Sequence, residues 1–86
     1  MSKDELTSAL IELIKLVDDV TMKMYSGEIK LTPAELDEHN RLSGRCEEIL
    51  ELAKGATGSK KTQFDEEYAQ LVNSHLALLR RILAGK

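Results

Sequence analysis

The residues best suited to chemistry in this sequence are basic and aromatic side chains beside a helix start. Lys23 and Tyr25 precede a glycine corner, and Lys30 and Thr32 flank the start of the next helix. Ammonium groups, a hydroxyl and the N–H groups of a helix N-terminus together suit a phosphate group. If the last helix returns antiparallel, Arg80 approaches the same corner. We predict an anion site here as the functional hypothesis, although spacing alone favours the simpler interpretation of Lys30 as a solvated loop residue and of Arg80 as a helix-end charge.

No set of residues in the sequence has the spacing of a catalytic or metal centre. His39 and His75 lie on apolar helix faces, where a packed or partly exposed histidine is the simpler interpretation. Cys46 is the single cysteine and suits a small buried position. One acidic run is explained by solvation and lacks the Glu-x-x-His spacing of di-iron bundles: Glu47, Glu48 and Glu51. We predict no catalytic residues, no bound metal, no cofactor and no enzymatic activity.

The element that positions the corner is a helix that begins after Thr32. Thr32 and Glu35 have the spacing of a capping box, in which each side chain accepts from the backbone N–H of the other residue. Pro33 occupies the first helical position, where its missing N–H has no cost. Gly27 can adopt the left-handed conformation that ends the preceding helix. These signals mark the segment between Gly27 and Thr32 as a corner between two helices.

Apolar residues recur at alternating spacings of three and four along the chain, which predicts amphipathic helices and an all-α fold. We expect a single helical domain over residues 1–86, with three helices at about 3–26, 33–54 and 63–84. Thr62 is the expected cap of the third helix, after a flexible loop at 55–61. The last two helices are expected to form an antiparallel hairpin.

The apolar stripes on the first and third helices are broad. Half of the positions from Phe64 to Leu83 are core-like, and two other helices of the same chain are not expected to cover them all. Burying one leucine is worth about 1.5–3 kcal/mol, so several exposed ones would be a serious loss for a small domain. Ile11 and Ile14 also lie off the main stripe of the first helix. We therefore predict a homo-oligomeric helical bundle.

Length and charge place further limits on function. The chain of 86 residues has a net charge of −3 and mixes acidic with basic residues, unlike the clustered basic surfaces that bind nucleic acid. We expect neither DNA nor RNA as a partner. No apolar run approaches the roughly 18 residues of a membrane span, and the lone cysteine suits a reducing compartment. The expectation is a cytoplasmic protein with no membrane partner.

Two segments resemble a known family of small helical proteins. Residues 27–36 read Gly-Glu-Ile-Lys-Leu-Thr-Pro-Ala-Glu-Leu, similar to the Gly-Tyr-Arg-x-Leu-Thr-x-x-Glu-Ile start of the central helix in phage anti-CBASS cyclic-oligonucleotide sponge proteins. Residues 74–82 read Ser-His-Leu-Ala-Leu-Leu-Arg-Arg-Ile, which resembles the final-helix pattern Gly-Phe-Met-Ala-Leu-x-Arg-Ala-Val. The resemblance covers about residues 27–54 and 64–84. The sequence departs from it at 28–30, at His75 and in a longer first helix.

The resemblance implies a homo-oligomer, with a hexamer as the expected state, that sequesters cyclic di- or trinucleotide immune messengers at subunit junctions. Such a protein blocks antiviral signalling in the host cytoplasm without making or breaking a bond. It implies phosphate contacts from Lys30 and Thr32, base stacking on Tyr25, and a phosphate or inter-subunit role for Arg80. The alternative is a structural or adaptor protein that binds itself or a host protein through its apolar faces, with no small ligand.

Overall fold

The computed structural model describes residues 3–85, and this part of the chain contains three helices and no strand. Helix α1 spans Lys3–Tyr25, α2 spans Pro33–Lys54 and α3 spans Gly58–Gly85. The predicted all-α class is therefore confirmed. The bounds of α1 and α2 lie within one residue of the sequence-based ranges, whereas α3 begins before the predicted position.

The start of α2 shows why the chain turns where it does. Thr32 Oγ1 accepts from the N–H of Glu35 at 3.1 Å, and Glu35 Oε1 accepts from the N–H of Thr32 at 2.9 Å. Pro33 follows in the first turn of the helix. The predicted capping box is thus confirmed, and it satisfies backbone N–H groups that have no partner within the helix.

The corner between α1 and α2, residues 26–32, is built around Gly27. Its φ of +80° lies in the left-handed region, which glycine adopts without steric cost. The N–H of Glu28 donates to the carbonyl of Lys23 at 2.9 Å, which satisfies a carbonyl at the end of α1. Ile29 then returns the chain to the interior, where its side chain is only 5% exposed. The corner is therefore anchored in the core.

The start of α3 differs from the prediction. Residues 58–61, which the sequence assigned to a flexible loop, are helical, so the connection from α2 consists of residues 55–57. Thr62 lies inside α3, and its hydroxyl donates to the carbonyl of Gly58 at 3.4 Å. The predicted cap at Thr62 is therefore wrong. Lys61 lies 3.9 Å from Asp65, an i,i+4 pair of opposite charges that supports this first part of the helix.

Helix α3 lies between α1 and α2. It packs against both, whereas α1 and α2 have no pair of Cα atoms within 8 Å of each other. Arg80 of α3 donates to Glu12 of α1 at 2.6 Å, and Arg45 of α2 donates to Glu67 of α3 at 2.8 Å. The Cα atoms extend 46 × 25 × 17 Å along the principal axes. The helices thus form a thin layer with a gap between α1 and α2.

The broad apolar stripe of α3 is covered within one copy of the chain, because α1 covers one side and α2 the other. Its central members are each at most 3% exposed: Val72, Leu76, Leu78, Leu79 and Ile82. The expectation that this stripe requires a second copy is therefore wrong. Among residues 3–85, the large apolar side chains that stay exposed lie on α1 and α2: Ile11, Ile14, Met22, Met24, Tyr25, Leu36, Leu50 and Leu52.

Ile29→Ala tests whether the corner is anchored in the core. Ile29 belongs to the same buried cluster as Val20 and Leu42, so its truncation should lower the free energy of unfolding by about 2–5 kcal/mol. Leu52→Ala removes the same amount of side chain from an exposed position and should change it by roughly 0.5 kcal/mol or less. Urea unfolding followed by circular dichroism measures both. Equal losses in the two variants would show that the corner is not anchored.

Candidate functional site

A groove at the corner end of the molecule is the main candidate for a binding site. It has a volume of about 480 Å³ and lies above α3, between the end of α1 and the start of α2. Its apolar walls consist of Val17, Val20, Met24, Leu31, Leu36 and Leu79. Ligand pockets in proteins usually measure about 300–1,000 Å³ and are mostly apolar with a few polar groups. The size and lining of this corner groove therefore fit a small ligand.

Four side chains of the corner groove carry polar atoms: Thr21, Tyr25, His39 and Asn40. Tyr25 is the last residue of α1 and is 88% exposed, so its ring is accessible for stacking on a flat ligand. His39 and Asn40 follow Leu36 by three and four positions on α2, which places all three on one wall. The groove thus combines an apolar floor with an aromatic ring and hydrogen-bonding groups at its edge.

His39 is hydrogen-bonded to His75 of α3. Nδ1 of His39 lies 2.7 Å from Nε2 of His75, so one nitrogen donates and the other accepts. His75 is buried, and burial, together with the neighbouring His39, holds the pKa of His75 below its ordinary value. The side chain of His75, which is hydrogen-bonded to His39, is therefore a neutral imidazole at neutral pH. Its hydrogen bond fixes the position of His39 in the groove wall.

Cys46 and Tyr68 show no sign of activation for catalysis. Desolvation by burial raises the pKa of the Cys46 thiol, and burial also raises the pKa of the Tyr68 hydroxyl. A reactive cysteine needs the thiolate, which this environment disfavours. Within residues 3–85, no group of three or more His, Cys, Asp or Glu side chains is arranged to hold a metal ion.

The start of α2 offers a phosphate fewer free groups than the sequence indicated. The hydroxyl of Thr32 accepts from the N–H of Glu35, and the carboxylate of Glu35 accepts from the N–H of Thr32. The N–H of Leu36 donates to the carbonyl of Thr32, and Pro33 has no N–H. The capping box therefore occupies two of the N–H groups that a phosphate would use at this helix start.

The predicted cationic residues lie in separate places. Lys23 Nζ is 3.7 Å from a carboxylate oxygen of Asp19 on the same helix. Arg80 faces α1, where its hydrogen bond to Glu12 holds the pKa of that carboxyl below its ordinary value. Lys30 is exposed on the corner. Of the five residues predicted for the site, Tyr25 lines the corner groove, and Lys23, Lys30, Thr32 and Arg80 do not.

The sequence prediction missed His39 and Asn40 as members of the site. His39 lies on an apolar face, and this position suggested only a packed histidine. The signal was present in the spacing, because Leu36, His39 and Asn40 share one face of α2 directly after the corner. Recognising it required knowing that α1 does not cover this face, which no local pattern indicates.

The fold and the corner groove define a small all-helical protein with a ligand-sized surface site. Comparison with protein-family models, with curated proteins and with solved structures finds no match to this chain. In the part of the chain from Lys3 to Gly85, no helix has the length and apolar character needed to cross a membrane.

Acidification should destabilise the fold through His75. Because the pKa of His75 is lowered in the folded protein, the unfolded chain binds a proton more readily as the pH falls below about 6.5. Tm should therefore decrease between about pH 7.5 and about pH 5.5, a range in which ordinary carboxyl groups remain ionised. His75→Gln should remove most of this decrease. A wild-type Tm that is constant over the range, or an equal decrease in the variant, would contradict the assignment.

Proposed function

We propose that this chain is a non-enzymatic cytoplasmic protein that sequesters cyclic di- or trinucleotide messengers and so blocks host antiviral signalling. The observation that carries the proposal is the corner groove, where the exposed ring of Tyr25 lies beside the polar side chains of His39 and Asn40. The resemblance of residues 27–54 and 64–84 to the cyclic-oligonucleotide sponge family supports the same class of ligand.

The groove suits the base of such a ligand better than its phosphates. A base can stack on an aromatic ring and form hydrogen bonds through its edge, for which Tyr25, His39 and Asn40 have suitable groups. The apolar lining disfavours a phosphate, because burying an unpaired charge has a large cost. The phosphates therefore stay at the open edge of the groove, toward the corner that carries Lys30, where water shares their charge.

Two contacts support the hairpin of the last two helices that the resemblance implies. His39 contacts His75, and Arg45 contacts Glu67. The later residue of α2, Arg45, thus contacts the earlier residue of α3, Glu67, which is the pattern of an antiparallel pair. The proposal includes assembly into a homo-oligomer, with a hexamer as the state implied by the resemblance. Exposed apolar side chains at the groove edge, such as Leu36, favour a junction between copies there.

Thermal unfolding with a panel of cyclic di- and trinucleotides tests the proposal. A ligand that binds only the folded state adds roughly 2.7 kcal/mol of stability at 100 times its Kd, so Tm should rise. Tyr25→Ala should weaken binding by about 1–3 kcal/mol through the loss of stacking, whereas Tyr25→Phe should retain most of it. Neither change should affect folding, because the side chain of Tyr25 is exposed.

Lysine variants test the expected position of the phosphates. Lys30→Ala should weaken binding of the same cyclic nucleotide and reduce its salt dependence. Lys60→Ala is the matched control, because Lys60 is an exposed lysine at the opposite connection, near the start of α3. The proposal fails if no cyclic nucleotide raises Tm, or if Tyr25→Ala binds as tightly as the wild type.

A second candidate function is that of an adaptor whose corner groove binds an amphipathic helix of another protein or of another copy. The observation in its favour is that α1 and α2 have no pair of Cα atoms within 8 Å of each other, and that Leu79 of α3 lies in the groove between them. Helix-in-groove recognition uses apolar anchors spaced by three, four and seven residues. The same thermal measurement separates the candidates, because an adaptor gains no stability from any cyclic nucleotide.

A further inference from the structure

The side of α1 that faces away from the core carries a second apolar surface, distinct from the corner groove. Ile11 is 51% exposed, Ile14 62% and Met22 70%. Lys15 and Asp18 lie between them in the sequence. Counted from Ile11, the spacings are three to Ile14, four to Lys15, seven to Asp18 and eleven to Met22, so all five residues lie on one face of the helix. This surface is termed the outer face of α1. The side chains that α1 packs against the core lie on its opposite side: Leu13, Val17 and Val20.

The centre of the outer face carries one cation and one anion. Lys15 and Asp18 are both exposed, and neither belongs to the ion pairs formed within residues 3–85. By contrast, Lys23 and Asp19 on the flank of the same helix are paired with each other. Two unpaired opposite charges between exposed apolar residues make this face self-complementary, because the cation of one copy can pair with the anion of another.

A second copy of α1 in antiparallel orientation matches this pattern. With a twofold axis at the level between positions 16 and 17, Lys15 of each copy lies opposite Asp18 of the other, and Ile11 lies opposite Met22. The charged pairs then form twice at the centre, with apolar contacts on both sides. A register centred on Asp18 would place two carboxylates opposite each other, and a parallel pair would place Lys15 opposite Lys15. Like charges disfavour both alternatives.

We propose that the outer face of α1 is the interface between two copies of this chain, paired antiparallel about a twofold axis. Helix α1 has 23 residues and is therefore about 34 Å long, which gives a contact at the small end of specific interfaces. The dimer is accordingly weak and depends on protein concentration. The interface does not involve the floor of the corner groove, so this proposal stands or falls independently of the ligand.

Charge reversal tests the interface and its register in one experiment. Lys15→Asp and Asp18→Lys each place like charges opposite one another at two symmetric positions, which should weaken dimerisation by about tenfold. The double variant exchanges the signs and should dimerise like the wild type. Sedimentation equilibrium over a wide concentration range measures each dissociation constant. Lys60→Asp is the control, since it makes the same change in net charge away from the outer face.

Met22→Gln adds a neutral variant that removes an apolar contact, and it should also weaken the dimer. Far-UV circular dichroism checks that all variants keep their helices, as expected for substitutions at exposed positions. The proposal is supported if each single reversal weakens the dimer and the double variant restores it. It is overturned if the wild type stays monomeric at all concentrations. It is also overturned if neither single reversal raises the dissociation constant of the dimer, or if the double variant does not restore the wild-type value.

Discussion

The burial of α3 between two neighbours is the constraint on which the rest of the structure depends. Its apolar side chains occupy too much of the helix circumference for one partner, and α1 and α2 therefore cover it from two sides. A direct consequence is that the backbones of α1 and α2 stay apart, with no pair of Cα atoms within 8 Å. Where the corner joins them, the side chain of Ile29 enters the core. The corner groove is thus a product of how the core packs, and its apolar lining continues the core outward to the surface.

Hydrogen bonding at the start of α2 determines which groups remain for a ligand. A helix start has only a few N–H groups without intrahelical partners, and each can serve one acceptor well. Here Thr32 and Glu35 satisfy each other, which stabilises the helix and occupies two N–H groups that a phosphate would otherwise use. Stability and binding are therefore divided between different residues. The cap holds the corner in place, while Tyr25, His39 and Asn40 present their side chains to the groove.

Local features of this fold were predictable from the sequence, and features that depend on packing were not. The capping box at Thr32 and the glycine at 27 act within a few residues, so they indicate the end of α1 and the start of α2 correctly. The start of α3 was mistaken because Gly55 and Gly58 suggested a loop, whereas the helix already begins at Gly58 and the i,i+4 pair of Lys61 and Asp65 supports its first part. Periodicity shows which face of α3 is apolar but not which neighbour covers it. Arg80 and Arg81 illustrate this limit. Arg80 donates a hydrogen bond to Glu12 of α1. Arg81 acts on α2 instead: the pKa of Glu38 is lowered mainly by its hydrogen bond from Arg41, and the charge of Arg81 lowers it further.

Helix α1 presents two opposite sides, and their separation determines whether the proposed binding and the proposed pairing can occur together. Successive residues are about 100° apart around a helix, so Val17, Val20 and Met24 share one side, which packs on the core and lines the groove, whereas Ile14 and Met22 face outward. Two activities that share one surface would compete. In the proposed register, the groove and the outer face approach each other only at Tyr25, which lies opposite Ser8 of the second copy. Serine is small, so a base stacked on Tyr25 retains access to the ring from the groove side. The proposed ligand binding and the proposed pairing through α1 are therefore compatible in the same molecule.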